Sequence, residues 1–245
     1  MDGGPRGWAR PLYERALDAA GAGPGTALLE LGCGSGEFAR AAVERGALVT
    51  GIDSDRTAVS VAAAAVPEAE FRFGDAHDPP PGPFDVVAAV QLLPHVTNPV
   101  VVLRRAASVG TTVVVTVWGR DEECDVRAFG EALARWLPPR RAAGGPPPLT
   151  DPDRLRKLIA LAGLQVATLH EVVCPFDYAD ADDLVAPVLR SAIGRRAAAV
   201  AGPDAVRRAL LDRLARHRLA DGGYRLENVF RVCTVIPVNG HQSPC

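Results

Sequence analysis

Lysine is nearly missing from this chain of 245 residues: Lys157 stands alone, and the rest of the basic charge is arginine scattered among alanines and prolines. The 27 basic residues face 29 acidic ones, for a formal net charge of -2, and no basic stripe forms. That distribution argues against a nucleic-acid surface. Long apolar runs are missing too. No stretch reaches the roughly 18 uninterrupted apolar residues of a membrane span, and the opening MDGGPRGWAR has no apolar signal core behind its charges. A cytoplasmic protein without membrane contact is expected. Cys33, Cys124, Cys174, Cys233 and Cys245 are widely spaced, with no C-x-x-C pair and no histidine cluster beside them. Free thiols are expected instead of disulfides or a zinc site. Aromatic residues make up only 5% of the chain.

What is present is apolar bulk. At 48% hydrophobic the chain can bury one large core, so a single domain over 1–245 is expected. Over the first 119 residues, short β-rich runs alternate with helical patterns, which points to βαβ units and a parallel sheet. The strands are expected at Ala27 to Leu31, Ala47 to Asp53, Glu70 to Gly74, Phe84 to Val90 and Thr111 to Trp118. FDVVAAV and TVVVTVW are apolar on both faces, as central strands of a doubly wound sheet should be. Glu37 to Arg45 reads as a helix closed by Gly46, and Asn98 with Pro99 reads as an N-cap and first turn. Each parallel crossover is expected to hold a helix.

Further along, a helix is expected near Glu122 to Trp136. Pro138 to Pro148, PPRRAAGGPPP, reads as a loop. A helix over Asp151 to Ala162 stops at Gly163, a strand covers Gln165 to Val173, and helices fill Asp180 to His217 with a break near Gly202 and Pro203. The last strand spans Tyr224 to Val238. The chain thus divides into an N-terminal cap helix (1–20), a core (21–137), a Pro/Gly loop (138–150), a C-terminal part (151–238) with its helical insertion (180–217), and a tail (239–245). No internal repeat is visible.

The stretch LLELGCGSGEF, Leu28 to Phe38, sets three glycines at alternating positions between a strand and a helix. Such a turn stands at the carboxyl edge of an open α/β sheet, where ligands bind, and glycines let backbone amides approach one. An empty strand-to-helix turn is the competing reading. Two acids favour the ligand. Asp53 ends the second strand, 17 residues beyond Gly36, where a carboxylate can hold ribose hydroxyls. Asp75 follows the third strand, where it can accept from an adenine amino group.

Together LLELGCGSG, GIDSD, FGDA and FDVVAAVQLLPHV resemble the class I S-adenosylmethionine-dependent methyltransferases, of the small "methyltransferase type 11" group that acts mostly on small molecules. The resemblance covers about the first 120 residues. It implies a Rossmann-like, doubly wound seven-stranded sheet of order 3-2-1-4-5-7-6, the last strand antiparallel, with helical lid elements. It implies S-adenosylmethionine as cofactor, held by Glu30, Gly32, Cys33, Gly34, Gly36, Asp53, Ser54, Asp75, Ala76 and Gln91. The loop is G-C-G-S-G behind Glu30, not the G-x-G-x-x-G of dinucleotide oxidoreductases, and a carboxylate at Glu30 suits a ligand carrying an ammonium and a sulfonium.

The implied reaction is methyl transfer to an O or N atom of a small-molecule acceptor. A protein of the same fold that uses the bound sulfonium to assist a cyclisation, without transfer, is the rival reading. His95, in QLLPHV, is the candidate base; its competing reading is a histidine that caps a short helix or packs beneath the cofactor. Trp8 and Tyr13 on the N-terminal helix, Trp118 at the end of the fifth strand, and Phe176, Tyr178 and Tyr224 beside the inserted helices are candidate walls of the acceptor pocket; core packing is the alternative for each. No metal, nucleic-acid or membrane partner is implied, and a monomer or homodimer is expected. The N-terminal helix has one apolar face, from Trp8, Leu12, Tyr13, Ala16 and Leu17, and is expected to close over the site as a lid; covering the back of the sheet is the competing reading.

Overall fold

The computed structural model describes residues 4–138 and 149–238. Its elements run in chain order α1 (Arg10–Ala20), β1 (Ala27–Leu31), α2 (Glu37–Glu44), β2 (Leu48–Asp53), α3 (Arg56–Ala65), β3 (Glu70–Phe73), β4 (Phe84–Val90), α4 (Pro99–Val109), β5 (Gly110–Trp118), α5 (Arg127–Leu133), α6 (Pro152–Leu161), β6 (Leu164–Tyr178), α7 (Ala181–Arg190), α8 (Ala192–Ala201), α9 (Pro203–Leu214) and β7 (Tyr224–Pro237). Side chains that favour helix starts begin several of these helices. Asp55 accepts from Thr57 N at 2.8 Å to begin α3, Asn98 accepts from Val101 N at 3.2 Å ahead of Pro99, and Asp151 takes the N–H groups of Asp153 and Arg154.

The strands form one sheet of order β3-β2-β1-β4-β5-β7-β6, with β7 antiparallel to β5 and the first five mutually parallel. The order and the orientation of β7 are those expected. The described residues divide into two compact units, one of residues 10–118, 149–172 and 230–238, the other of residues 4–9, 119–138 and 173–229.

In the first unit, Leu29, Leu31, Val87, Ala89, Val113 and Val115 bury one face of the sheet with Val102 and Leu103 of α4 and Leu155 and Ile159 of α6. Because side chains alternate along a strand, Leu28 and Glu30 turn to the opposite face. On the strands, α1 meets β5 and α2 meets β2. Leu12, Ala16 and Leu17 of α1 are fully buried. These three residues set α1 against the sheet unit; Trp8, expected on the same helix, lies in a turn before its first residue Arg10 and belongs to the other unit. In the second unit α5, α7, α8 and α9 pack on one another through residues such as Leu133, Leu184, Val206 and Leu210.

Four expectations are corrected. The crossover from β3 to β4, GDAHDPPPGP, contains no helix, since its prolines deny the backbone donors a helix needs. The helix expected over Glu122 to Trp136 is α5 alone, flanked by short 3-10 turns at Asp121–Glu123 and Ala134–Trp136, because Asn228 on β7 accepts from Val126 N at 3.1 Å and anchors the chain there. Strand β6 continues past Val173 to Tyr178. The inserted helices break at Ser191 as well as at Gly202: Ser191 ends α7 and its hydroxyl accepts from Gly194 N at 3.1 Å to start α8. Residues 139–148 of the Pro/Gly loop and the 239–245 tail, with Cys245, lie outside the described residues.

Candidate functional site

Strand β1 delivers the chain to the glycine loop, and the loop is tied to β2: Gly32 N and Cys33 N both donate to Ile52 O, at 2.8 and 3.0 Å. Its glycines serve different ends. Gly36 has φ +82, which strains any side chain, and a Cβ there would lie a tight 3.2 Å from Ala62 of α3. Gly34 has φ +51, and a Cβ there would meet nothing within 4 Å. Space beside Gly34 is open, and its positive φ is the strained element.

Asp53, at the end of β2, holds this loop: Oδ2 accepts from Gly34 N and Oδ1 from Asp55 N, each at 2.9 Å. Glu30 lies one strand away and is 3% exposed. Ala39 N at the start of α2 donates to its carboxylate, while Oε2 has no hydrogen-bond partner. Burial, and then the charge of Asp53, push the Glu30 pKa well above the carboxylate range. Burial followed by those two acids raises the Cys33 thiol to about 12, so Cys33 is a buried, protonated thiol and no nucleophile.

A cavity of about 270 Å³ opens at the carboxyl edge of the first unit. Asp53 and Ser54 after β2, Asp75 and Ala76 after β3, and Gln91 and His95 after β4 line it, together with Gly32. Three successive strand ends thus meet at one cavity. Asp75 Oδ1 accepts from His77 N at 2.9 Å and lies 2.7 Å from His77 Nδ1; the backbone bond, then the ring, hold the Asp75 pKa below its usual value. Gln91 is the one non-glycine residue with positive φ, at 54, among the described residues. Both its backbone N–H and its Nε2 donate to the buried Thr116 Oγ1, at 3.0 and 3.1 Å, which holds the strained conformation in place. His95 closes the 3-10 turn Leu93–His95, with its side chain exposed.

Of the residues expected to hold cofactor, Gly32, Asp53, Ser54, Asp75, Ala76 and Gln91 line the cavity, as does His95. Glu30, Cys33, Gly34 and Gly36 do not line it and belong to the loop and its support. The six aromatics are not among the lining residues. Tyr13 donates from its hydroxyl to Glu37 Oε2 at 3.2 Å and meets Phe38 edge-on, and Trp118 lies 4.2 Å from the Phe230 ring. Trp8 lies 4.9 Å from Phe176 in the second unit. Phe176, Tyr178 and Tyr224 are buried there, and burial raises the Tyr178 pKa. Sequence reasoning passed over Gly74, Val90, Leu92 and Val96 of the lining, and His77, whose only local signal is its place two residues after Asp75. Among the described residues no group of three or more His, Cys, Asp or Glu side chains is placed to hold a metal ion, and no helix is long and apolar enough to cross a membrane.

A doubly wound sheet with a glycine loop, strand-end acids and a cavity at its carboxyl edge defines a class of α/β proteins that bind a small ligand there. A family model described as a methyltransferase domain matches residues 6–169. The chain belongs to that family, and the class I, small-molecule methyltransferase resemblance of its sequence stands. The ubiquinone biosynthesis O-methyltransferase of Pseudomonas paraeruginosa is 34% identical over 101 residues, 38% of this chain and 44% of that protein. The chain thus spans less than half the length of that curated relative. Among solved structures, the cyclase SpnF superposes with a TM-score of 0.57 at 20% identity, covering 93% of this chain and 81% of the other. The magnesium protoporphyrin IX methyltransferase of Synechocystis PCC 6803, solved with bound S-adenosylhomocysteine (SAH), gives 0.55 at 15% identity, with 94% and 82% covered. At these identities the likeness is one of fold.

Proposed function

We propose that this protein transfers a methyl group from S-adenosylmethionine to an O or N atom of a small molecule. The observation that carries the reading is the cavity in which the ends of β2, β3 and β4 present Asp53, Asp75 and Gln91 with His95. The residues present fit the donor. Glu30 keeps one buried carboxylate oxygen without a partner, the complement of an ammonium, and the space beside Gly34 is open. The glycine loop and Glu30 would hold the methionine portion, Asp53 and Ser54 the ribose, Asp75 and Ala76 the adenine, and Gln91 would border the transferred group. When bound, the donor supplies an activated methyl on a good leaving group.

The rest falls to this chain's own residues. Rigid strand ends orient both partners, since alignment alone is worth several kcal/mol of barrier, up to about 7–11 in favourable cases. Gln91, locked by Thr116, keeps the floor of the site from relaxing. His95 accepts the proton of an acceptor hydroxyl or ammonium through a ring nitrogen, which a histidine can do near neutral pH.

The test begins with calorimetry. SAH should bind and NADH should not; the reverse would overturn the reading. Incubation with S-adenosylmethionine and a panel of phenolic and amine acceptors should then give a product heavier by one methyl and one equivalent of SAH. An isomerised product with the donor unconsumed would favour charge-assisted cyclisation, the rival reading.

A further inference from the structure

His77 belongs to none of the motifs that mark the family resemblance and does not line the cavity, yet it joins two of the cavity's walls. Its Nδ1 lies 2.7 Å from Asp75 Oδ1, the oxygen that already accepts from His77 N. An ionised carboxylate only accepts, so the Nδ1 carries the proton in this pair. On the other side of the ring, Nε2 lies 3.5 Å from Thr97 Oγ1, two residues beyond His95. Asp75 and Ala76 form one rim of the cavity, and His95 and Val96 the other.

The Asp75 side chain is 65% exposed, whereas that of His77 is 26% exposed. A carboxylate standing so far into solvent samples several rotamers unless something restrains it. Two donors from one residue converge on Oδ1 and fix the torsion, which leaves Oδ2 to the ligand. A pre-aimed acceptor loses less freedom on binding than a free one.

From this geometry we infer that His77 is a positioning residue for the nucleobase: it clamps Asp75 so that Oδ2 meets the adenine 6-amino group, and it ties that rim to the His95 segment through Thr97. The inference rests on the donor reading above.

Calorimetry on the full chain tests it, with two ligands: SAH and its purine-riboside analogue, which lacks the 6-amino group. His77→Leu should weaken SAH by about two- to fivefold, the range of an exposed charged contact, and leave the analogue's affinity unchanged. His77→Asn, whose amide can reach Asp75 from the position of Nδ1, should restore SAH binding. Thermal unfolding of each variant reports on the fold separately. Equal loss for both ligands, or no loss for either, with wild type binding SAH normally, would overturn the role of His77 alone. Failure of wild type to bind either ligand would overturn the donor reading and the clamp with it.

Discussion

Glu30→Gln keeps the shape of the side chain and removes its charge, so it isolates what a buried carboxylate does under the glycine loop. In the native site that group is 3% exposed, takes one N–H from Ala39, and leaves Oε2 without a partner. Burial first, and Asp53 second, raise its pKa well above the ordinary 4.5. An acid with a raised folded pKa binds more protons folded than unfolded. Its contribution to stability is therefore present below 4.5 and lost as pH rises through the folded value. Glu30→Gln removes that loss, and thermal unfolding followed from acid to neutral pH should give a flatter profile in the variant. Binding should respond in the opposite sense. An ammonium facing Oε2 favours the ionised form, so wild type should release a proton on binding SAH, read by calorimetry in two buffers of different ionisation enthalpy. The variant should release none and bind about tenfold to a hundredfold more weakly, the worth of about 1.5–3 kcal/mol for a hydrogen bond to a charged group. Parallel stability profiles together with unchanged SAH affinity would refute the reasoning.

Asp53→Ala removes the acceptor of Gly34 N as well as the proposed ribose contact, and should weaken SAH binding by about 1–3 kcal/mol with the domain still folded; unchanged affinity in calorimetry counts against the assignment. Gly34→Val should cost about 1–2 kcal/mol of stability, because a branched residue must adopt φ near +51, and should abolish SAH binding by filling the open space beside the loop. Full affinity in that variant would sink the loop argument. Leu17→Ala on α1, fully buried against the sheet unit, should lower stability by about 2–5 kcal/mol while SAH affinity in the folded fraction stays as in wild type; turnover lost at unchanged melting temperature would make α1 a lid instead of scaffold.

The sheet and the strand-end acids were legible because their signals are local. An apolar run apolar on both faces, such as FDVVAAV, has one comfortable place in a parallel sheet, and it forms β4 with the boundaries read from sequence. Asn98, Asp151 and the glycine after Leu31 announce turns and caps within three residues of their partners. The order of strands came from resemblance, since no local signal encodes it. Helix breaks were harder. Gly202 with Pro203 marks one, but Ser191 sits in a run of good helix formers, and its role depends on the tight approach of Gly194 to Val188 O, where a Cβ would lie 1.9 Å away.

By itself, then, the sequence determined which segments alternate, where the glycine loop stands and which acids end the strands, because those follow from spacing and turn chemistry between near neighbours. Only the tertiary structure decided what each residue faces. Gly36 has Ala62 close beside it, Gln91 is strained but held by Thr116, and Glu30 is buried with Ala39 N on its carboxylate and Oε2 left without a partner. His77 gains its place only when the ends of β3 and β4 come together, and Leu12, Ala16 and Leu17 of α1 and Phe176, Tyr178 and Tyr224 of the second unit are buried by partners far off in the chain. The physical reason is common to all of these: burial and pairing are properties of residues far apart in the chain, and a side chain's chemistry is set by which of them it meets.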